Sequence, residues 1–277
     1  MLLLLPPSEG KTPAPADAAP VDLAALTAAD ALTAQRSAVL AALAEASARP
    51  GASGVLGVGA SLVDEVERNT RLHAEPAAPA AHVYSGVLYA AAGLADAVAD
   101  VAAAARAAES VRIFSGLWGA VAPGDRIPAY RLSMGVDLPG VGKLAAAWRG
   151  PLGAALDARA AGDVVVDCRS ATYVAAWKPR AGASEWVTVR VLRDTDGTRT
   201  VVSHNAKHTR GVLTGHLLRR AGAAPSSATE LLDAAGELAG TVIGTEVGSG
   251  LSYRLLGASL HAAKTRTAPA TLELVIG

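Results

Sequence analysis

The run Asp163-Val-Val-Val-Asp-Cys168 constrains this chain most, because an unbroken series of β-branched residues fits a buried strand and little else. Met1-Leu-Leu-Leu-Leu5 is its counterpart at the start. It has no basic leader region, is too short for the apolar stretch of a signal peptide, and runs straight into Pro6-Pro7, so it reads as a buried first strand. Val111–Leu117 and Thr271–Ile276 are further strand candidates. Trp186–Leu192 and Arg199–His204 form a hairpin across Asp194-Thr-Asp-Gly-Thr198, where Asp-Gly is the turn signal. Helices are expected over Leu23–Ala48, Gly59–Leu72, Ala95–Ala108, Asn205–Arg220 and Thr229–Leu238. His82–Tyr89 reads as a short strand or turn, and Gly240–Leu256 as hairpin-like. Strands and helices do not alternate regularly, which predicts a mixed α and β domain rather than a doubly wound sheet.

Chemical variety concentrates between Ile113 and Leu156. At its centre, Leu138-Pro139-Gly140-Val141 reads as a tight turn, with Pro139 presetting φ and Gly140 free to take the positive φ of a type II turn. A helix follows, with Leu144, Ala147 and Trp148 on one apolar face. Backbone N–H groups of Gly140 and Gly142 at such a helix start can meet a phosphate, helped by Lys143 and Arg149. This is the hairpin of a helix-hairpin-helix motif, over about 130–156; the competing reading is a turn that merely caps a core helix. The motif's first helix has no visible stripe in Ala129–Val136.

The formal net charge is zero, but it is unevenly placed: 6 basic and 12 acidic residues in 1–110, 16 and 8 in 111–220, 3 and 5 in 221–277. Such a basic middle suggests an anionic partner. Only 5 of the 25 cationic residues are lysines, and Lys11, Lys143, Lys178 and Lys207 fall in segments marked by glycine, proline or aromatic residues. If those segments converge they make a cationic cleft; otherwise they are solvated lysines. Gly10-Lys11-Thr12 lacks the earlier glycine of a nucleotide phosphate loop, since that position is Leu5. Cys168 is the only cysteine, which excludes an intrachain disulfide and points to a reducing, cytoplasmic compartment. No uninterrupted apolar segment is long enough to span a bilayer, so no membrane partner is expected. His204, His208 and His216 can share a helix face, yet carboxylate and cysteine partners are not near in sequence, and neither a metal site nor a cofactor is expected.

The ordered set Lys11-Thr12, Tyr84-x-Gly86, Ser115-Gly-Leu-Trp-Gly119, Tyr130-Arg131-Leu132-x-Met134-Gly135, Gly142-Lys143 to Trp148, Ser170-x-x-Tyr173 and Ala206-Lys207-x-x-Arg210-Gly211 resembles the YaaA family of peroxide-stress proteins. The resemblance covers about Leu2 to Leu213. It implies a cytosolic protein that protects cells and their DNA during hydrogen peroxide stress, linked to lowering unincorporated iron. It also implies one mixed α/β domain of unusual fold, a positively charged cleft, a helix-hairpin-helix element and binding of duplex DNA. Lys11, Tyr130, Arg131, Lys143, Trp148, Tyr173, Lys178, Lys207 and Arg210 match the pattern by position. Two departures stand out: the family's Pro-Tyr-Arg is Ala129-Tyr130-Arg131 here, and the usual aromatic-rich ending after Gly240 is missing.

The expected fold is therefore α+β (mixed), a single compact domain over residues 1–277 with a central mixed sheet, surrounding helices and a helix-hairpin-helix-like element bordering a basic cleft. The expected partner is double-stranded DNA, bound without sequence preference through Gly140, Gly142, Lys143, Arg149, Arg131, Lys178, Lys207 and Arg210. The alternative is an enzyme acting on a small phosphorylated or carboxylated substrate in the same cleft, with Lys11, Tyr130, Arg131, Lys207 and Arg210 as candidate groups. That alternative accounts better for lysine over arginine, since arginine holds phosphates at least as well. Ser8, Ser115 and Ser170 lack the glycine-flanked elbow of a serine nucleophile.

Overall fold

The computed structural model describes residues 1–202, 204–245 and 252–277. Its central sheet has nine strands: β1 (Leu2–Leu5), β2 (Val111–Ser115), β3 (Gly119–Val121), β4 (Val164–Asp167), β5 (Glu185–Thr195), β6 (Thr198–Val201), β7 (Val242–Thr245), β8 (Ser252–His261) and β9 (Ala270–Ile276). They lie in the order β7-β8-β9-β5-β4-β1-β2-β3, with β6 also paired to β5. The five central strands β9, β5, β4, β1 and β2 run parallel, while the flanking pairs are antiparallel. The fold is thus mixed α+β around a mixed sheet. Leu2–Leu5 and Val164–Val166 are fully buried, as unbroken apolar runs in a parallel sheet must be.

The helices that matter for the site are α1 (Ala29–Ser47), α2 (Val87–Ala92), α3 (Val101–Ser110), α4 (Arg149–Ala160), α5 (Ala171–Val174), α6 (His204–Arg219) and α7 (Ala228–Gly236). The stretch expected as one helix from Ala95 is two, Leu94–Ala97 and α3, because Asp100 caps the second by accepting from Ala103 N at 2.8 Å. His82–Tyr89 is not a strand. Its ends lie in two short helical segments, Ala80–Val83 and α2, where burial of Val83, Leu88 and Tyr89 overrides their β propensity, and the expected turn is the connection between them, with Tyr84 extended and Gly86 at φ 116°. The strand expected over Thr271–Ile276 forms as β9, which is interior, between β5 and β8. The hairpin expected over Gly240–Leu256 appears as the antiparallel pair β7 and β8, and its connection lies outside the described residues.

Within 130–156 the turn forms as expected. Val141 N donates to Leu138 O at 2.9 Å, Gly140 sits at φ 84°, and Asp137–Leu138 pairs antiparallel with Gly142–Lys143. A short helix, Leu144–Ala147, and then α4 follow. The first helix of a helix-hairpin-helix is not formed before the turn. Asn69 instead takes both backbone groups of Arg131, accepting from its N–H at 2.9 Å and donating to its C=O at 2.8 Å, so these groups are not available to a helix ladder. Gly116 lies so close to Leu132–Met134 that a Cβ there would meet backbone atoms at 3.0–3.1 Å.

α6 packs on α2 through a glycine notch. A Cβ at Gly211 would meet Leu88 O at 2.3 Å, and one at Gly215 would meet Ala92 O at 2.6 Å. Gly211→Ala should therefore destabilise the protein by about 2–3 kcal/mol by overpacking, as read from urea melts; an unchanged midpoint would mean that the two helices separate without cost.

Candidate functional site

Parallel strands deliver loops at their carboxyl ends, where open sheets of this kind gather ligands. Here β1 delivers Pro6–Lys11, β2 delivers Gly116–Trp118 and β4 delivers Cys168–Tyr173. Lys11 forms an isolated bridge to Tyr84, and Thr12 N donates to Val83 O at 2.8 Å, which fixes the loop against the short helix Ala80–Val83. The Lys11 ammonium lies 4.4 Å from the Tyr130 ring centre and 5.7 Å from that of Tyr84. Its nitrogen donates to Ser8 O at 3.0 Å and Glu9 O at 3.5 Å. Burial pushes its pKa down to about 8, with Glu9 pulling it up and Arg131 adding to the lowering.

Around Lys11 runs a chain of hydroxyls. Ser115 Oγ accepts from the backbone N–H groups of Leu117 at 3.1 Å and Trp118 at 2.9 Å, and lies 2.7 Å from Tyr130 Oη. Tyr130 Oη is in turn 2.9 Å from Tyr84 Oη. Burial holds the ionisation of Tyr84, Tyr89 and Tyr130 well above the ordinary range, so all three stay neutral phenols. Tyr89 Oη donates to Pro6 O at 2.7 Å and its ring stacks on Tyr84. Arg131 borders the cluster, paired with Glu9 at 2.9 Å and Glu65 at 3.5 Å.

Of the residues singled out from the sequence, Lys11, Tyr130 and Arg131 are brought together. Arg149 and Lys178 meet elsewhere, in a cleft of about 870 Å³ that Arg180, Trp177, Trp186 and Val174 also line. Arg180 is held by Asp157 at 2.7 Å, and Asp157 also accepts from Trp177 Nε1 at 2.9 Å. Gly140 and Gly142 both have positive φ, but the N–H of Val141 between them closes the turn. Lys143 and Lys207 are exposed, on the hairpin and on α6, and do not line this cleft. Arg210 is fastened to Val189 O of β5 by two hydrogen bonds, at 3.0 and 2.7 Å, two strands from β1.

His216 pairs with Glu237 at 2.8 Å, the His208 ring lies edge-on to Tyr253, and the His204 side chain lies outside the described part. Among the described residues no three His, Cys, Asp or Glu form a group that could hold a metal ion. Cys168 is buried and its thiol is pushed up to about 12 by desolvation, which leaves almost no thiolate. No helix among the described residues is long and apolar enough to cross a membrane.

Sequence reasoning missed Tyr84, Asn69 and Glu65 as parts of the site. Tyr84 had a signal in Tyr84-x-Gly86, where the glycine's positive φ ends one helical segment and begins the next. Asn69 had none, because its two bonds to Arg131 span 62 residues.

A mixed α+β sheet with a lysine, phenols and an arginine at the carboxyl edge of its parallel strands defines the class of protein. The family described as peroxide stress protein YaaA matches residues 1–236, and this chain belongs to that family. It is similar to a UPF0246 protein of Streptomyces coelicolor, 48% identical over 241 residues that make up 86% of this chain and 90% of the relative. A UPF0246 protein of Corynebacterium efficiens is 41% identical over 218 residues, 77% of this chain and 83% of that one.

The lowered Lys11 pKa has a stability consequence. Between about 8 and its ordinary 10.5 the unfolded chain holds the Lys11 proton and the folded chain does not, so this group's contribution to stability rises with pH across that window. The buried tyrosines act in the opposite sense above about 10, where they ionise in the unfolded chain. Unfolding free energy measured by urea between pH 7.5 and 9.5, roughly the rising part of that window, should therefore climb more steeply in the native protein than in Lys11→Met; equal slopes would show that Lys11 keeps its ordinary pKa.

Proposed function

We propose that this chain protects against peroxide stress in the cytoplasm by holding duplex DNA without reading its sequence, limiting oxidative DNA damage and free iron. The observation that carries this reading is the cleft in which Arg149 and Lys178, 29 positions apart in the sequence, come together beside Arg180. Arg149 gives one hydrogen bond, at 3.4 Å, to Ala175 O, and Lys178 is exposed, so both can turn to phosphates. Arg266 extends the basic border through a neighbouring cavity that shares Arg180 and Trp186. Lys143 and Lys207 supply further exposed charge. No helix among the described residues carries a row of Asn, Gln and Arg of the kind that reads base edges, which fits phosphate contact without base readout.

Counterion release makes the reading measurable. Anisotropy of a labelled random duplex should show affinity falling steeply with salt, and the double variant Arg149→Ala with Lys178→Ala should lose roughly 0.9 of the slope of log K against log salt per phosphate contact removed. An unchanged slope, or no binding at low salt, would overturn the reading.

A second reading is favoured by one specific observation, the half-buried Lys11 amine with Arg131 and neutral phenols at the carboxyl edge of the sheet. These groups suit a small carboxylated or phosphorylated molecule better than a duplex, whose backbone cannot enter between Tyr84 and Tyr130.

A further inference from the structure

The hydroxyl chain beside Lys11 has a direction. Ser115 Oγ has two lone pairs, and both are taken by the N–H groups of Leu117 and Trp118. Its own proton must then go to Tyr130 Oη. Tyr130, having accepted, gives its proton to Tyr84 Oη. Tyr84 Oη thus accepts from Tyr130 at 2.9 Å, with the Ser115 hydroxyl a further donor beside it, so the Tyr84 proton is left at the end of the chain for a ligand. Two backbone amides thus fix the polarity of three side chains.

The neighbouring groups suggest what that ligand carries. Arg131 bonds at 2.9 Å to the Glu9 carboxylate, whose side chain is 75% exposed and free to swing into solvent. Glu9 holds the position that a ligand carboxylate would take in exchange. Lys11 has no carboxylate in contact with its nitrogen among the described residues; its acceptors are the Ser8 and Glu9 carbonyls. Withdrawn from water and placed beside Arg131, the Lys11 amine gives up its proton more readily than a solvated lysine and can act as a nucleophile.

We propose that the Lys11 centre forms an imine with the carbonyl group of a small oxo-acid, Arg131 binding the acid's carboxylate and Tyr84 passing the protons. This rests on the second reading above and names its substrate class and reaction. The Lys11 lone pair forms a C–N bond while the carbonyl π pair moves to oxygen, which takes the Tyr84 proton. The Tyr84 oxygen regains a proton from the new ammonium, giving a neutral carbinolamine. Tyr84 then gives its proton to the hydroxyl, which leaves as water while the nitrogen lone pair forms the C=N bond, and the Tyr84 oxygen recovers the N–H proton of the resulting iminium, so amine plus carbonyl yields imine plus water with no oxidant or reductant. Tyr84 receives as it gives, which suits a buried phenol that resists standing as an anion.

The test is trapping. The full-length protein is incubated with pyruvate and cyanoborohydride and read by intact mass and peptide mapping. The expected result is one adduct, with the mass of pyruvate less one oxygen atom, on the peptide that contains Lys11. Lys11→Arg should abolish it. Tyr84→Phe should slow its formation about 100-fold, the range of a lost proton donor, in protein that circular dichroism shows to be folded at the assay temperature. Arg131→Met should raise the pyruvate concentration needed for half-maximal labelling. Adducts spread evenly over Lys143, Lys178, Lys207 and Lys264, or equal labelling of urea-unfolded protein, would overturn the proposal. A parallel arm measures protection of Lys11 from acetic anhydride. Protection by pyruvate without trapping would overturn imine formation and leave the small-anion reading standing; neither protection nor trapping would overturn both.

Discussion

The two parallel ladders of β1 fix every other part of the chemistry. Leu5 stands opposite Ile113 of β2, Leu4 opposite Asp167 of β4, and Cys168 N donates to Leu4 O at 2.9 Å just past the end of β4. Each fully buried leucine of β1 contributes about 1.5–3 kcal/mol, so a register slip would sacrifice all four together. With register fixed, the chain can leave β1 only between the ends of β2 and β4. Pro6-Pro7 then cannot continue the strand, and the loop carries Lys11 over residues that β2 and the segment after Ile127 have already placed. The lysine's surroundings follow from strand pairing rather than from its own neighbours in sequence.

Beside that loop, Asp167 and Arg169 form a pair with both side chains fully buried. Asp167 accepts from Arg169 N at 3.0 Å, Nε at 2.9 Å and Nη2 at 2.7 Å, and from Trp186 Nε1 at 3.1 Å, so its acceptor sites are filled. Arg169 stacks over Phe114 at 4.1 Å. A buried pair satisfied this fully is a rigid floor, and removal of one partner would cost about 3–5 kcal/mol by stranding the other charge. It also takes Arg169 out of ligand binding, although a sequence reading counts it among the basic residues of the middle segment. Trp186 links the two sites: its indole nitrogen bonds Asp167 while its ring lines the cleft of Arg149 and Lys178.

What the sequence made legible was the part governed by local rules. Unbroken apolar runs located β1 and β4, Asp-Gly located the β5–β6 hairpin, and Pro139-Gly140 located a turn closed as its residues require. The family order of short motifs singled out Lys11, Tyr130 and Arg131, which the fold brings side by side. What remained hidden depends on long-range contact. Nothing local says that Asn69 will take the backbone of Arg131 and keep 128–133 from becoming a helix. Nothing local says that Tyr84 will stand just past a short helix, bridged to Lys11 and beside Tyr130. The convergence of Arg149 with Lys178, and the separation of both from Lys11, was equally a matter of topology.

The charge distribution shows how far composition can mislead about a surface. The excess of positive charge in 111–220 suggests a basic face, yet much of it is turned inward. Arg210 clamps Val189 O, Arg219 clamps Ala92 O, and Arg169 and Arg159 hold Asp167 and Asp163. Outside that segment Arg36, fully buried, donates to Trp118, Thr27 and Ala120 carbonyls, and Arg106 to those of Arg220 and Gly222. A planar guanidinium with five donors is suited to this, because it satisfies several carbonyls and tolerates loss of water better than an ammonium. These six of the twenty arginines are thus a structural device in a chain rich in alanine, whose short side chains leave backbone carbonyls for them to reach. Against that background the five lysines divide cleanly. Lys143, Lys178, Lys207 and Lys264 are exposed, where either cation would serve, whereas Lys11 is the one lysine withdrawn from water. An arginine there would stay charged at every working pH and could not act as a nucleophile. Lysine at position 11 is therefore the one lysine in this protein whose identity, and not only its charge, the surroundings explain.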